Sequence, residues 1–296
     1  MLILVILALI PLGLALAFWQ SQRLKVETYR VKPEGYNGPA LRILFFSDFH
    51  LGLGKSQKRA AAFIQQMTEA EADIILFGGD LFTEPAKTDP ATLASYYQIL
   101  KKLKAKKAIY AIKGNHDACS PTVLSAYRQL CAKLKWQLLE NELIYRDAEK
   151  LILIGLNDYI HEDSALYLQS EAHAEPGTFR ICLIHEPDIL PLTEPAKGPS
   201  LILSGHTHAG QIAFCSWQPV LPRHGKIFTR GFYRLPKLSK LPPKQNQARK
   251  LYGLEPKPVI ELKAERYAYV SSGSGTTHLP LRWGAPQSFL LLELEA

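Results

Sequence analysis

Five short stretches of this chain carry side chains able to hold metal ions. They are Ser47-Asp48-Phe49-His50, Gly78-Gly79-Asp80, Gly114-Asn115-His116-Asp117, Ile184-His185-Glu186 and Gly205-His206-Thr207-His208. Asp, His and Asn offer the oxygen and nitrogen donors that hard and borderline divalent metals prefer. Each stretch follows an apolar, β-rich run: Leu44–Phe46, Ile74–Phe77, Ile109–Ile112, Cys182–Ile184 and Leu201–Leu203. In open α/β sheets, sites assemble at the carboxyl ends of strands. Five donor clusters at five strand ends can therefore meet in one crevice, as a single metal cage. In His206-Thr207-His208 the spacing puts both imidazoles on one face of an extended chain, so each can reach a different ion. A lone histidine is more often a satisfied core or loop residue, but here five of the nine histidines fall inside the pattern.

The ordered set D-x-H, G-G-D, G-N-H-D, a single His, then G-H-T-H resembles the calcineurin-like metallophosphoesterase family, from about Leu41 to Gln211. The resemblance implies an α/β sandwich of two mixed sheets flanked by helices. It also implies two divalent metal ions, bridged by Asp80. Asp48, His50 and His208 would complete the first site, and Asn115, His185 and His206 the second. Ions about 3.5–4 Å apart need such a shared carboxylate, and together they ionise water at neutral pH for in-line attack on phosphorus. His116 is then expected to contact the phosphoryl group and protonate the leaving oxygen. Asp117 either orients His116 or caps a helix. Mn²⁺ is the favoured ion, with Fe, Zn or Co compatible with the same donors. A tail from Ser272-Gly273-Ser274-Gly275-Thr276 to Leu279-Pro280-Leu281-Arg282 resembles that of membrane-linked family members. Arg282 and, more weakly, Arg223 are candidate substrate contacts.

Strands and helices alternate from Leu41. Helical composition covers Lys58–Ala72, Ala91–Lys104 and Val123–Leu134, and Ser164–Glu171 is a further candidate. Leu143–Tyr145 and Leu151–Leu156 flank a polar turn and read as a hairpin. Further strands are expected at Arg180–Ile184, Leu201–Ser204, Gln211–Phe214, Tyr267–Ser271 and Phe289–Glu293. Such alternation followed by a strand-rich half is that of a layered α/β domain.

Three parts are expected: an anchor at 1–20, a polar linker at 21–39 and a catalytic domain at 40–296. Leu2–Trp19 is an uncharged run, about long enough as a helix to cross a bilayer. No basic residue precedes it, as a cleaved signal peptide would require, although Ala15-Leu16-Ala17 offers a cleavage site. Arg23, Lys25, Arg30 and Lys32 follow it. By the positive-inside rule this favours a single-pass anchor in the inner (cytoplasmic) membrane, with the catalytic domain in the cytoplasm.

A formal charge of +8, from 35 Lys and Arg against 27 Asp and Glu, favours anionic partners. No nucleic-acid-binding signature is present, so the expected partners are a phospholipid membrane and a nucleotide-lipid or other phosphodiester. The four cysteines lack C-x-x-C spacing and read as reduced thiols. Residues 219–257 form a basic, proline-rich insertion with interleaved aromatics, either a solvated loop or a cap that meets lipid. Together these features point to an amphiphilic diphosphate, and the chain resembles the membrane-anchored hydrolases of UDP-2,3-diacylglucosamine in lipid A biosynthesis. The alternatives are an exported or membrane-bound phosphodiesterase of other substrate, and a non-catalytic membrane adaptor on the same fold.

Overall fold

The structure is a computed structural model. It describes the chain except residues 1, 53–56, 84–86, 166–174, 194–199, 215–216, 236–249, 255–258 and 264, and except the side chains of 2–8. The elements, in order, are α1 (Leu2–Gln20), β1 (Leu24–Pro33), β2 (Leu41–Phe46), α2 (Gln57–Glu69), β3 (Ile74–Phe77), α3 (Pro90–Leu100), β4 (Ala108–Ala111), α4 (Asn115–Ala118) and α5 (Pro121–Leu134). There follow β5 (Gln137–Leu138), β6 (Glu142–Arg146), β7 (Leu151–Gly155), β8 (Phe179–Leu183), β9 (Ser200–Ser204), β10 (Gly231–Arg234), β11 (Val259–Leu262), β12 (Arg266–Val270) and β13 (Gln287–Leu294).

Two mixed sheets face each other. One has the order β11-β1-β13-β2-β3-β4-β5, the other β10-β12-β9-β8-β7-β6. The period-2 alternation of a strand explains how β2 serves two layers. Ile43 and Phe45 pack between the sheets with Leu153, Ile181 and Leu203. Leu44 and Phe46 point the other way, onto Phe63, Ile64 and Met67 of α2 and Tyr127 of α5. Covered on both faces, β2 and β3 are near-continuous apolar runs. The α5 helix starts where its sequence says it should. Ser120 accepts a hydrogen bond from the Val123 N–H, and Pro121 takes an early position that needs no donor.

Three expectations are corrected. Residues 24–33, read as linker, form β1, which pairs in parallel with β13 along its length. Gln211–Phe214 is not a strand. Ala209, Gly210 and Gln211 all take positive φ, which curls the chain and breaks any extended run. The insertion is not one exposed loop: β10 lies within it, and Phe228, Phe232 and Tyr233 are buried in the core. Its residues 236–249 and 255–258 lie outside the described residues, as do Cys215 and most of the Ser164–Glu171 helix. Cys131 is a buried free thiol. The N-terminal run forms a helix, but among the described residues no helix is long and apolar enough to cross a membrane.

Candidate metal centre

The strands β2, β3 and β4 run parallel, as do β7, β8, β9 and β12 in the second sheet. The loops after β2, β3, β4, β8 and β9 carry the five donor stretches, and they converge. The Asp48 N–H donates to the Gly79 carbonyl at 2.8 Å, and Asp48 Oδ1 accepts from the His206 N–H at 2.9 Å, joining one sheet to the other. Five of the seven candidate ligands, Asp48, His50, Asp80, His206 and His208, have φ between 48° and 70°. A non-glycine residue there stores on the order of 1–3 kcal/mol, and such strain clusters at functional sites.

The donors fall into overlapping groups. One joins Asp48, His50 and His208; another joins Asp80, His185 and His206; a third, His50, Asp80 and His116, links the two. Asp80 Oδ2 lies 3.7 Å from His50 Nε2, 3.2 Å from His185 Nε2 and 4.0 Å from His116 Nε2. Burial alone would raise the Asp80 carboxyl. The imidazoles of His185, His116 and His50 outweigh it and hold Asp80 well below the usual carboxylate range. Burial, reinforced by Asp80, pushes Asp48 up to about 6. His206 is lowered to about 4 by burial and by His185.

Ring tautomers test whether these residues suit metal ions. His50 Nδ1 faces the Phe82 carbonyl at 2.9 Å and His185 Nδ1 faces the Gly78 carbonyl at 2.7 Å. Each donates there, which aims Nε2 into the cluster. Burial would lower the His185 ring, but Asp80 raises it well above the usual histidine range, so an ion at that nitrogen would displace its proton. His206 is more telling. Its Nε2 faces the Arg223 carbonyl at 2.6 Å and its Nδ1 faces Asn115 Oδ1 at 2.9 Å. A neutral imidazole has one proton, so two acceptors confront each other at one of these contacts. Either a cation held by Nδ1 and Oδ1, or the Asn115 amide turned so that its NH2 donates to Nδ1, resolves the conflict. Asp48 Oδ2 and His185 Nε2 are also buried with no hydrogen-bond partner among the described residues. The donor set therefore fits divalent ions. His208 is the exception, because its Nδ1 faces a donor, Arg282 Nη2, at 3.1 Å. An ion at His208 Nε2 requires the proton to sit on Nδ1 and the guanidinium to give up that contact.

Arg282 is corrected as a substrate contact. It is fully buried and spends its donors on the carbonyls of Gly275, His208, Ser272 and Ala285. It braces the tail behind His208. Arg223 is exposed and lines the cavity over the centre with Asp80, Asn115 and His116. His116, 13% exposed, is the histidine of the set that reaches solvent most. Asp117 does not orient His116. Its carboxylate accepts from the N–H groups of Asp80, Leu81, Phe82 and Gly114 and so staples two ligand loops together. Gly114 and Gly205 are demanded by close approach: a Cβ at either would collide with Asp80 or Asp48.

The cavity has a volume of about 640 Å³. Sequence reasoning missed Ile160, Gln211 and His278 in its wall, because no motif marks them.

A family model described as calcineurin-like phosphoesterase matches residues 41–210. Among similar proteins, "Uncharacterized metallophosphoesterase YkuE" of Bacillus subtilis (strain 168) is 26% identical, over 89% of this chain and 82% of its own length. An "Uncharacterized metallophosphoesterase" of Helicobacter pylori is 27% identical over 86% of this chain, which spans only 60% of that relative. The solved structure of TT1561 of Thermus thermophilus aligns at a TM-score of 0.41 and 15% identity, covering 57% of this chain and 83% of that one.

Proposed function

The chain belongs to the calcineurin-like phosphoesterase family, and from the premise that it is a phosphoester hydrolase of this type we propose that it cleaves a phosphodiester or diphosphate at a two-metal centre. Asp80 would be shared by the two ions; Asp48, His50 and His208 would hold the first, and Asn115, His185 and His206 the second. The observation that carries this reading is the convergence of seven donors with three imidazoles aimed inward. When bound, the ion pair polarises the phosphoryl oxygen and lowers the pKa of water; Mn²⁺ is the nominated metal. His116 donates a proton to the leaving oxygen, a role its reach into the cavity supports. Arg223 meets the anionic substrate at the rim. The Phe82, Gly78 and Arg223 carbonyls hold the rings in register.

The nominated substrate is UDP-2,3-diacylglucosamine, split to 2,3-diacylglucosamine 1-phosphate and UMP. The uncharged run at Leu2–Trp19 with basic residues after it supports a single-pass anchor, with the catalytic domain on the cytoplasmic side. Two measurements test this. Hydrolysis of bis-p-nitrophenyl phosphate should require added Mn²⁺, and His116→Ala should lose roughly 10²–10⁴-fold in kcat while keeping its metals. A fully active His116→Ala would remove that residue from the mechanism. Incubation with UDP-2,3-diacylglucosamine should release UMP; cleavage of the soluble diester without UMP would assign a different phosphodiester.

A further inference from the structure

The wall of the catalytic cavity is lopsided. Asp80, Asn115, His116 and His206 stand at its base, whereas Ile160, Ile212, Val220, Leu221 and Leu279 line much of the rest. Apolar side chains continue onto the outside. Val220 is 73% exposed, Trp217 59%, Leu279 54% and Phe214 50%. Phe214 and Trp217 stack with ring centroids 5.8 Å apart, and their backbones exchange hydrogen bonds at 2.9 and 3.0 Å. Phe214 and Trp217 thus show two aromatic rings to the outside. Exposed apolar side chains close in the chain to Ile212 and Pro219 of the cavity wall mark a place where something other than water is met.

Hydrogen bonds link this segment to α1. The Arg282 N–H donates to the Ala17 carbonyl at 3.0 Å, and Ser21 Oγ donates to the Pro280 carbonyl at 2.8 Å. The Trp283 N–H donates to the Gln211 carbonyl, and the Ala213 N–H to the Trp283 carbonyl, which leads to Phe214. Residues 280–283 therefore tie the end of α1 to the aromatic pair. On α1, Leu9, Ile10, Leu12 and Leu14 are each more than half exposed. Just past it, the Arg23 guanidinium sits 3.5 Å from the Trp19 ring centroid. A ring with an adjoining cation suits the headgroup region of a bilayer. Arg223 and Lys226 are exposed on the loop after Pro222, where they would attract anionic headgroups.

We propose that Phe214 and Trp217, with Val220 and Leu279, seat in the bilayer interface and turn the cavity mouth toward lipid. The substrate class is then a phosphoester or diphosphate borne on acyl chains, entering from the membrane. The substrate clause rests on the hydrolase reading above; the seating does not. The test uses the full chain reconstituted into phosphatidylcholine–phosphatidylglycerol vesicles, with and without bromine on the acyl chains. Bromolipid should quench more fluorescence in the native protein than in Trp217→Phe. The Phe214→Glu/Trp217→Glu variant should keep its Tm, because both side chains are exposed. It should lose roughly tenfold in rate on a long-alkyl p-nitrophenyl phosphodiester presented in vesicles and nothing on bis-p-nitrophenyl phosphate in water. Equal quenching in the native protein and Trp217→Phe, or an equal loss on both esters, overturns the seat. Differential quenching with neither ester hydrolysed by the native protein supports the seat and strikes the hydrolase reading instead.

Discussion

At the scale of single residues, Asp80 reaches imidazoles of both halves of the centre, so its loss should be felt by both ions. Asp80→Ala is expected to abolish turnover and empty both sites, while Asn115→Ala loosens the second alone. Elemental analysis after desalting checks this; two tightly retained ions in Asp80→Ala would dismiss the bridge. The titrations of Asp48 and His206 act in opposite directions. Asp48, pushed up to about 6, binds a proton more tightly when folded, so its contribution is present below pH 4 and is lost as pH rises to 6. His206, lowered to about 4, contributes stability above pH 6.5 that is lost as pH falls toward 4. A divalent ion competes with the Asp48 proton. Thermal stabilisation by Mn²⁺ over chelator should therefore be large at pH 8 and shrink below about pH 6. A Mn²⁺ effect independent of pH from 5 to 8 would remove Asp48 from the ligand set. The donor side chains were legible in the sequence because their chemistry lies in the residue type. The carbonyls that set their tautomers were not, since every residue has one. Arg282 was misread because a guanidinium says nothing of its own burial, which distant packing decides.

At the scale of elements, ligand loops are held by carboxylates that never face the cavity. Asp188 accepts from the N–H groups of Lys226, Ile227 and Phe228, and its own N–H donates to the His224 carbonyl. This fixes the loop whose Arg223 carbonyl orients His206. Asp188→Ala should weaken binding of the second ion by roughly 10–100-fold and leave the first nearly unchanged. Competition titration with a metal indicator measures it, and unchanged affinity at both sites would show that the loop holds itself. Helices α2, α3 and α5 were legible to within a few residues, because their apolar spacing and caps are local. The strand β1 was not. Its alternation of buried and exposed positions is interrupted, and it depends on pairing with β13 at the far end of the sequence. The curl after His208 was equally hidden, since Ala209 and Gln211 take left-handed backbone that their residue types do not favour.

At the scale of the whole molecule, the seven-stranded sheet is held together from its middle. The strand β13 pairs with β1 on one side and β2 on the other. Amides of β2 and β13 should exchange slowest, and those of the edge strands β5 and β11 fastest. Hydrogen exchange with mass spectrometry reads this directly, and fast exchange in β13 would mean that β1 and α1 are only loosely joined to the site. The two-sheet architecture was readable from alternation together with the family resemblance, but the position of β13 was not, because its partners lie so far away in sequence. That placement has a consequence for how the protein is made. On the ribosome, β2, β3 and β4 emerge early and carry three of the five ligand loops, yet the apolar flank of β2 stays open until β13 has been translated. Until then the nascent chain carries a central strand with one edge unpaired, a condition under which chains recruit chaperones or aggregate.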